Sequence, residues 1–460
     1  MKELNRTSKR VDMTKGDVAT TLKNLTIPMI FGVLGLVAFN LADTYYISKL
    51  GTLQVAALTF TFPVVLVINS LNLGLGIGAS ALISRAVGAN DQIRVKRLST
   101  DALTLGGLIS IVAIIIGELT IEPLFTSLGA DHTTLPYIKD YMRIWYAGVP
   151  FVAVPMIGNN AIRALGDTKT PSMVMMVSAI GNIILDPLLI FGIWIFPELG
   201  VSGAATATVF SRMITFCVAL YILGIREKVI SFKAVKLIQV LDSWKSILLI
   251  GIPNAIARMI LPIGSGIITS LIAVYGTEVV AGYGIATRLE YFSLAIIRAL
   301  VSITPVFVGQ NFGGGKLLRI RESISISRKF SLLYGIFLYL MLFFFARPLA
   351  YIFTDVEAVA DTSVLYMRLV PLAYGFQGII LLSNGALNAL NHPIQAASLN
   401  LIQLLVIYVP TALIFSKYFG LVGIFGALSL SYLLTSGLAY YLVERTYKRL
   451  MEVNYIEKNK

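Results

Sequence analysis

The chain has 460 residues, 57% of them hydrophobic and 13% charged, with a net charge of +13 and a mean hydropathy of +0.81. A soluble domain carries about 25% charged residues, so a water-soluble enzyme or nucleic-acid-binding domain is excluded. The single cysteine, Cys217, excludes an intrachain disulfide and a paired redox motif, and is expected as a small apolar residue in a span.

Twelve apolar stretches follow one another, each near the length that crosses a bilayer as a helix. They cover 24–48, 54–84, 101–125, 136–163, 171–193 and 199–223, then 246–274, 279–311, 328–353, 362–390, 394–416 and 420–443. Basic residues gather on alternate connections: Lys9 and Arg10 before span 1, Arg94, Lys96 and Arg97 after span 2, and Arg226, Lys228 and Lys233 after span 6. Arg319, Arg321 and Lys329 follow span 8, and Arg445, Lys448 and Arg449 follow span 12, whereas the intervening loops carry Asp131, Glu198, Glu278 and Asp355. The positive-inside rule then places both termini in the cytoplasm of an integral inner-membrane protein. The basic charge is expected to set topology and meet anionic lipid headgroups rather than nucleic acid. Residues 1–23 lack an apolar core, so span 1 itself is expected to direct insertion.

The two halves repeat. Ile27-Pro28 returns as Ile252-Pro253, Gly51-Thr52 as Gly276-Thr277 and Ala164-Leu165 as Ala389-Leu390, all at an offset of 225. With small gaps Val87-Gly88 matches Val308-Gly309, Pro171 matches Pro393, and Gly200 and Gly203 match Gly420 and Gly423. Six spans per copy make the repeats parallel, which implies a cavity between them near the bilayer midplane. The expected organisation is a cytoplasmic segment 1–23, an N-lobe 24–223, a cytoplasmic linker 224–245, a C-lobe 246–443 and a cytoplasmic tail 444–460.

Polar residues inside the spans are not shared equally. Asp43 in span 1 and Asp186 in span 5 are carboxylates in apolar surroundings, where an ionised group costs at least about 2.5–3.5 kcal/mol and marks function by default. Asn182 lies one turn from Asp186 on the same helix face, and Thr208 falls at similar depth in span 6, roughly 8–14 Å below the outer surface. Their counterparts in the second copy are Ile268, Leu404, Tyr408 and Leu428, none of them acidic. Two carboxylates, an amide and a hydroxyl could form an all-oxygen site for Na⁺, and a carboxyl removed from water can also carry a proton. A bend at Pro187 is the bland alternative for Asp186.

These segments resemble the multidrug and toxic compound extrusion (MATE) transporters, within them the DinF-like branch. The matching pieces include Leu41-Ala42-Asp43-Thr44, the run Ser84 to Asp91, the run Arg163 to Pro171, Gly181-Asn182 with Leu185-Asp186-Pro187, Ala207-Thr208, Arg288-Leu289-Glu290 and Val308-Gly309-Gln310-Asn311. The resemblance spans about residues 20–445. It implies an all-α polytopic membrane protein, twelve transmembrane helices in two pseudo-symmetric six-helix lobes forming a V, working as a monomer without cofactor. It also implies antiport, in which amphipathic, often cationic drug-like compounds leave against inward H⁺ or Na⁺. By motif, the family's cation site falls on Asp43, Asn182, Asp186 and Thr208. Another branch uses acidic residues on helices 7 and 10, which this chain lacks there.

Other features carry less. Arg258, Arg288 and Glu290 form a C-lobe charge cluster in which Arg258 could pair with Glu290, either structurally or in contact with substrate or proton. Pro28 could bend helix 1 four turns from Asp43, or be an ordinary early-helix proline. Gly74, Gly76 and Gly78 are expected to serve helix packing rather than nucleotide binding. Tyr45, Tyr46, Tyr141, Trp145, Tyr146 and Phe151 could line a drug cavity or anchor at the membrane interface. Arg258, Arg288, Arg298 and Arg368 keep open a second function, flipping of lipid-linked oligosaccharide diphosphates. No metal-ligand spacing, nucleophile motif or Asp-x-x-x-Asp pair points to an enzyme.

Overall fold

The computed structural model describes residues 10–231 and 236–458. Residues 1–9 of the N-terminal segment, 232–235 of the linker and 459–460 of the tail lie outside the described residues. All regular structure among the described residues is helical: α1 (Val18–Ser48), α2 (Thr52–Gly88), α3 (Gln92–Ser127), α4 (Leu135–Ala164), α5 (Lys169–Ile190), α6 (Gly200–Tyr221), α7 (Leu237–Ala273), α8 (Thr277–Ser293), α9 (Ala295–Gly313), α10 (Leu317–Tyr351), α11 (Glu357–Leu369), α12 (Tyr374–Ala389), α13 (Pro393–Leu401) and α14 (Val409–Lys458).

Among the described residues ten segments are long and apolar enough to cross a membrane. The more polar α4 adds an eleventh. The segment Pro393–Val453 holds two spans, because Gly420 at φ 58° and ψ −136° breaks α14 in a backbone region open mainly to glycine. Span 8 is α8 and α9, meeting at Leu294, and span 10 is α11 and α12, joined by a 3₁₀ turn at Val370–Ala373 that contains Pro371. Span 11 passes through a π-helical turn, Ile402–Tyr408. Twelve spans result, and several run further than their apolar cores. α3 starts at Gln92 and carries Arg94, Lys96 and Arg97 in its first two turns, capped by Asp91, whose side chain accepts from the Arg94 N–H at 2.9 Å. Apolarity marks where a helix meets hydrocarbon, whereas backbone hydrogen bonding carries it beyond.

The chain forms two compact units. The first comprises the residues up to Asp12 with Ile27–Ala255, the second Met13–Thr26 with Ile256–Lys460. The division therefore falls inside α1 and α7, beside each proline of the repeated Ile-Pro pair, and not in the linker 224–245. The first part of α7 belongs to the first unit because α2 packs on it at backbone distance. A Cβ at Gly78 would stand 2.5 Å from the Ile247 carbonyl, and Gly74 lies as tightly against Gly251. In lipid, such close packing of small residues supplies the association that hydrophobicity cannot.

Ile83, Leu98, Ile157, Ala161, Ile247 and Ile250 centre the main core of the first unit, and Phe125, Ile138, Trp145 and Tyr146 a second. In the second unit the main core includes Ile297, Tyr366, Tyr374 and Phe425. The helix ends near the N-terminal segment are tied by charge. In the first unit Arg10 Nε donates to Glu227 Oε2 at 2.5 Å, Arg226 Nε donates to Glu227 Oε1 at 2.8 Å, and Arg226 also pairs with Asp167. In the second, Arg319 donates to the carbonyls of Met13, Lys15 and Gly16 and to Asn311 Oδ1.

Candidate functional site

Asp186 and Asn182 share one face of α5 and are almost wholly buried, at 0% and 1% exposure. The Asn182 amide donates to the Thr208 hydroxyl on α6 at 3.4 Å. Its own oxygen and both carboxylate oxygens of Asp186 are buried with no hydrogen-bond partner. Pro187 has no N–H, so the carbonyl of Ile183 also loses its helical donor. Asp43, half-buried on α1, stands within electrostatic reach of Asp186, and the Tyr141 hydroxyl on α4 feels both carboxylates. The structure thus brings Asp43, Asn182, Asp186 and Thr208 together within the first unit.

Two further groups belong to this neighbourhood. Tyr141 was legible only as a possible cavity aromatic. The Ser211 hydroxyl on α6 is buried without a partner and lies 3.8 Å from where a Cβ of Gly181 would stand. Ser211 is three residues beyond Thr208 on the same helix face, a periodicity that could have flagged it. Chemically, the site gathers carboxylate, amide and hydroxyl oxygens, and the buried acceptors among them need a donor or a cation.

α1 stays helical through Pro28, whose carbonyl accepts a hydrogen bond from the Ser172 hydroxyl on α5. Of the aromatics expected near a cavity, Trp145 and Tyr146 are instead core residues, Phe151 packs edge-on against Phe216 at 5.2 Å, and Tyr45 is exposed.

The expected pairing of Arg258 with Glu290 is not found. Among the described residues Glu290 makes no ion pair; it accepts hydrogen bonds from the Tyr366 hydroxyl and, at 3.4 Å, from the Gln377 amide. Arg258 and Arg288 are both exposed on the surface of the second unit. Arg258 lies within electrostatic reach of Arg298, which stacks over the Tyr291 ring at 4.3 Å. A carboxylate supplied with neutral donors does not require a guanidinium partner.

A duplicated twelve-helix membrane protein with a buried, unpartnered carboxylate in one repeat belongs by its fold to the polytopic membrane transporters. The chain belongs to the MatE family: the family model matches twice, at residues 28–188 and 253–414, beginning at the two repeated prolines. A curated relative from Shewanella oneidensis, named FAD transporter, is 37% identical over 436 residues, covering 95% of this chain and 96% of the relative. A Thermotoga maritima protein named as a probable multidrug resistance protein, NorM, is 26% identical over 394 residues, covering 85% and 83%. The solved structure of the Vibrio cholerae MATE transporter VcmN in its bent form is similar at a TM-score of 0.88 and 29% identity, covering 94% of this chain and 97% of that one. An outward-facing multidrug resistance MATE transporter gives a TM-score of 0.91 at 24% identity, covering 97% and 100%, a likeness of fold.

Proposed function

We propose that this protein is a cation-coupled efflux antiporter whose coupling site is Asp43, Asn182, Asp186 and Thr208, with H⁺ or Na⁺ as the coupling ion. The observation that carries the proposal is the Asp186 carboxylate, fully buried with neither oxygen hydrogen-bonded. A charge in that condition costs several kcal/mol unless a proton or a hard cation joins it. Asp43 would supply the second charge, and Asn182 Oδ1 and the Thr208 hydroxyl the neutral ligands. Occupancy then favours one conformation and cargo the other, and exchange follows only from that difference in affinity. Both termini face the cytoplasm in this scheme, and the chain works as a monomer among membrane lipids.

For cargo, the relatives named as multidrug proteins favour amphipathic drug-like compounds, often cationic. A second reading is export of FAD or a related flavin dinucleotide. It is supported by the 37% identical relative of that name. It is also supported by Arg258 and Arg298, near each other in the second unit and in no ion pair among the described residues. Guanidinium groups suit a diphosphate by paired hydrogen bonds, and the same chemistry underlies the alternative of a lipid-linked oligosaccharide flippase.

The test is export from proteoliposomes under an imposed ΔpH or ΔNa⁺ alone, with ethidium and with FAD as cargo. Either cargo should move in the wild type, and Asp43→Asn and Asp186→Asn should each reduce movement about tenfold or more, about 1.4 kcal/mol or above. Undiminished export by both variants would remove the coupling site from this place.

A further inference from the structure

Glu290 is a carboxyl of the second unit that accepts hydrogen bonds only from neutral groups among the described residues. In the first unit the unpartnered carboxylate is Asp186 on α5, packed against α6. The counterpart of Asp186 in the second repeat is Tyr408, at the end of the π turn in span 11. Tyr408 is 4% exposed, and its hydroxyl is buried without a hydrogen-bond partner. It lies within electrostatic reach of Glu290, as does Tyr432 on α14, in the span that corresponds to α6. The second unit therefore has its buried acid on α8, within electrostatic reach of the tyrosine that aligns with Asp186.

We propose that Glu290 is a second proton-exchanging carboxyl, housed in the second unit and read out by the Gln377 amide. The groups facing it are Tyr283 on its own helix, Tyr366 on α11, Tyr374 on α12, Tyr408 and Tyr432 on the last two spans, and the Arg298 guanidinium on α9. Arg258 on α7 stands beyond Arg298. Phenols and an amide can each donate or accept, so the shell serves either protonation state. With Glu290 ionised, Gln377 Nε2 donates to it at 3.4 Å and to the Tyr432 hydroxyl at 3.0 Å, which leaves Gln377 Oε1 buried with no donor. With Glu290 protonated, a half-turn of the amide lets Oε1 accept from the new O–H. The proton comes from water and returns to it, and no other bond changes. π turns inside helices recur at functional sites, and this one carries Tyr408 into the network.

The experiment is infrared difference spectroscopy of the full chain in lipid nanodiscs between pH 5 and pH 9, which requires no transport and so stands or falls apart from the antiport proposal. An Asp43→Asn/Asp186→Asn double variant should keep a carboxyl C=O band that appears and disappears with pH, and adding Glu290→Gln should abolish it. Tyr366→Phe, which removes one donor and retains the ring, should move the titration midpoint and band position; this arm decides the matter if Glu290→Gln fails to fold. A double variant with no titrating carboxyl band in that range, or a band unmoved by Tyr366→Phe, overturns the proposal.

Discussion

The Asn182 amide on α5 donates to the Thr208 hydroxyl on α6 at 3.4 Å, and so turns the amide oxygen away from α6. That oxygen is buried and unpartnered beside Asp186, so the hydrogen bond orients a ligand. Thr208→Val keeps the shape of the side chain and removes the acceptor. A net hydrogen bond is worth about 0.5–1.5 kcal/mol, and at 3.4 Å the lower end applies. Half-saturation of export by the coupling ion should rise about two- to tenfold, while Thr208→Ser should stay near the wild type. Ion-dependence curves in proteoliposomes decide it: an unshifted Thr208→Val curve would remove Thr208 from the ligand set.

Asp186→Asn should separate stability from activity. The wild-type carboxylate has neither oxygen hydrogen-bonded, and an amide of the same shape carries no charge to desolvate. Leaving such a group unsatisfied costs about 1–3 kcal/mol or more, so the variant is expected to melt a few degrees higher in detergent at neutral pH without Na⁺, yet export poorly. Sites that work by strain or unpaired charge pay in this way. A lower melting temperature for Asp186→Asn would mean the carboxylate is stably partnered.

The end of the first unit that holds Arg10 depends on Glu227, buried at 3% and held by Arg10 at 2.5 Å and Arg226 at 2.8 Å. Glu227→Gln removes the negative charge and replaces one of the two accepting oxygens by an N–H donor, so one guanidinium loses its acceptor. Breaking a fully buried pair costs about 3–5 kcal/mol; the arginine side chains are 23% and 26% exposed, so water screens part of the loss. About 1–3 kcal/mol is expected, together with faster proteolysis near residue 10. Unchanged melting and an unchanged cleavage pattern would show that Arg10 is not held by this contact.

Asp131, in the turn before α4, gives a pH signature outside the membrane. Its carboxylate accepts from the Thr133 hydroxyl at 2.8 Å and from the Thr134 N–H at 2.9 Å, which lowers its pKa from 3.8 to about 2. A lowered folded-state value means the stability it adds is complete above the ordinary carboxylate range and is lost as pH falls through about 2. Asp131→Ala should therefore melt below the wild type at pH 6, and the gap should narrow between pH 4 and pH 2. A gap that stays constant with pH would mean the turn is held by something other than the ionised carboxylate.

Much of this molecule was legible in its residues, for reasons that also mark the limits. Twelve spans and the repeat could be read because hydrocarbon demands uninterrupted apolar helices and because Pro28 and Pro253 punctuate both copies alike. Asp43 and Asp186 stood out because a charge in such a stretch is costly. Tyr141 and Ser211 did not, since a phenol or hydroxyl in a membrane helix is ordinary until its neighbours are known. The partners of Glu290 come from four other helices, and no local spacing announces them, so a guanidinium was expected where phenols are found. The same holds for the division inside α7, set by Gly74 and Gly78 meeting residues far away in the chain.

That division yields a last prediction. A Cβ at Gly78 would stand 2.5 Å from the Ile247 carbonyl, a backbone atom that cannot swing aside, whereas a Cβ at Gly107 on α3 would meet nothing within 4 Å. Gly78→Ala must push α2 and α7 apart, and overpacking of this kind costs about 1–3 kcal/mol. Gly107→Ala has no such contact and gains about 0.8–1 kcal/mol of helix propensity. The two variants make the same chemical change on two spans of one unit, so their melting temperatures should move in opposite directions. Because the first part of α7 belongs to the first unit through this seam, Gly78→Ala should also speed amide exchange over residues 237–250. If both variants melt alike and exchange there is unchanged, the α2–α7 contact does not hold that part of α7 in place.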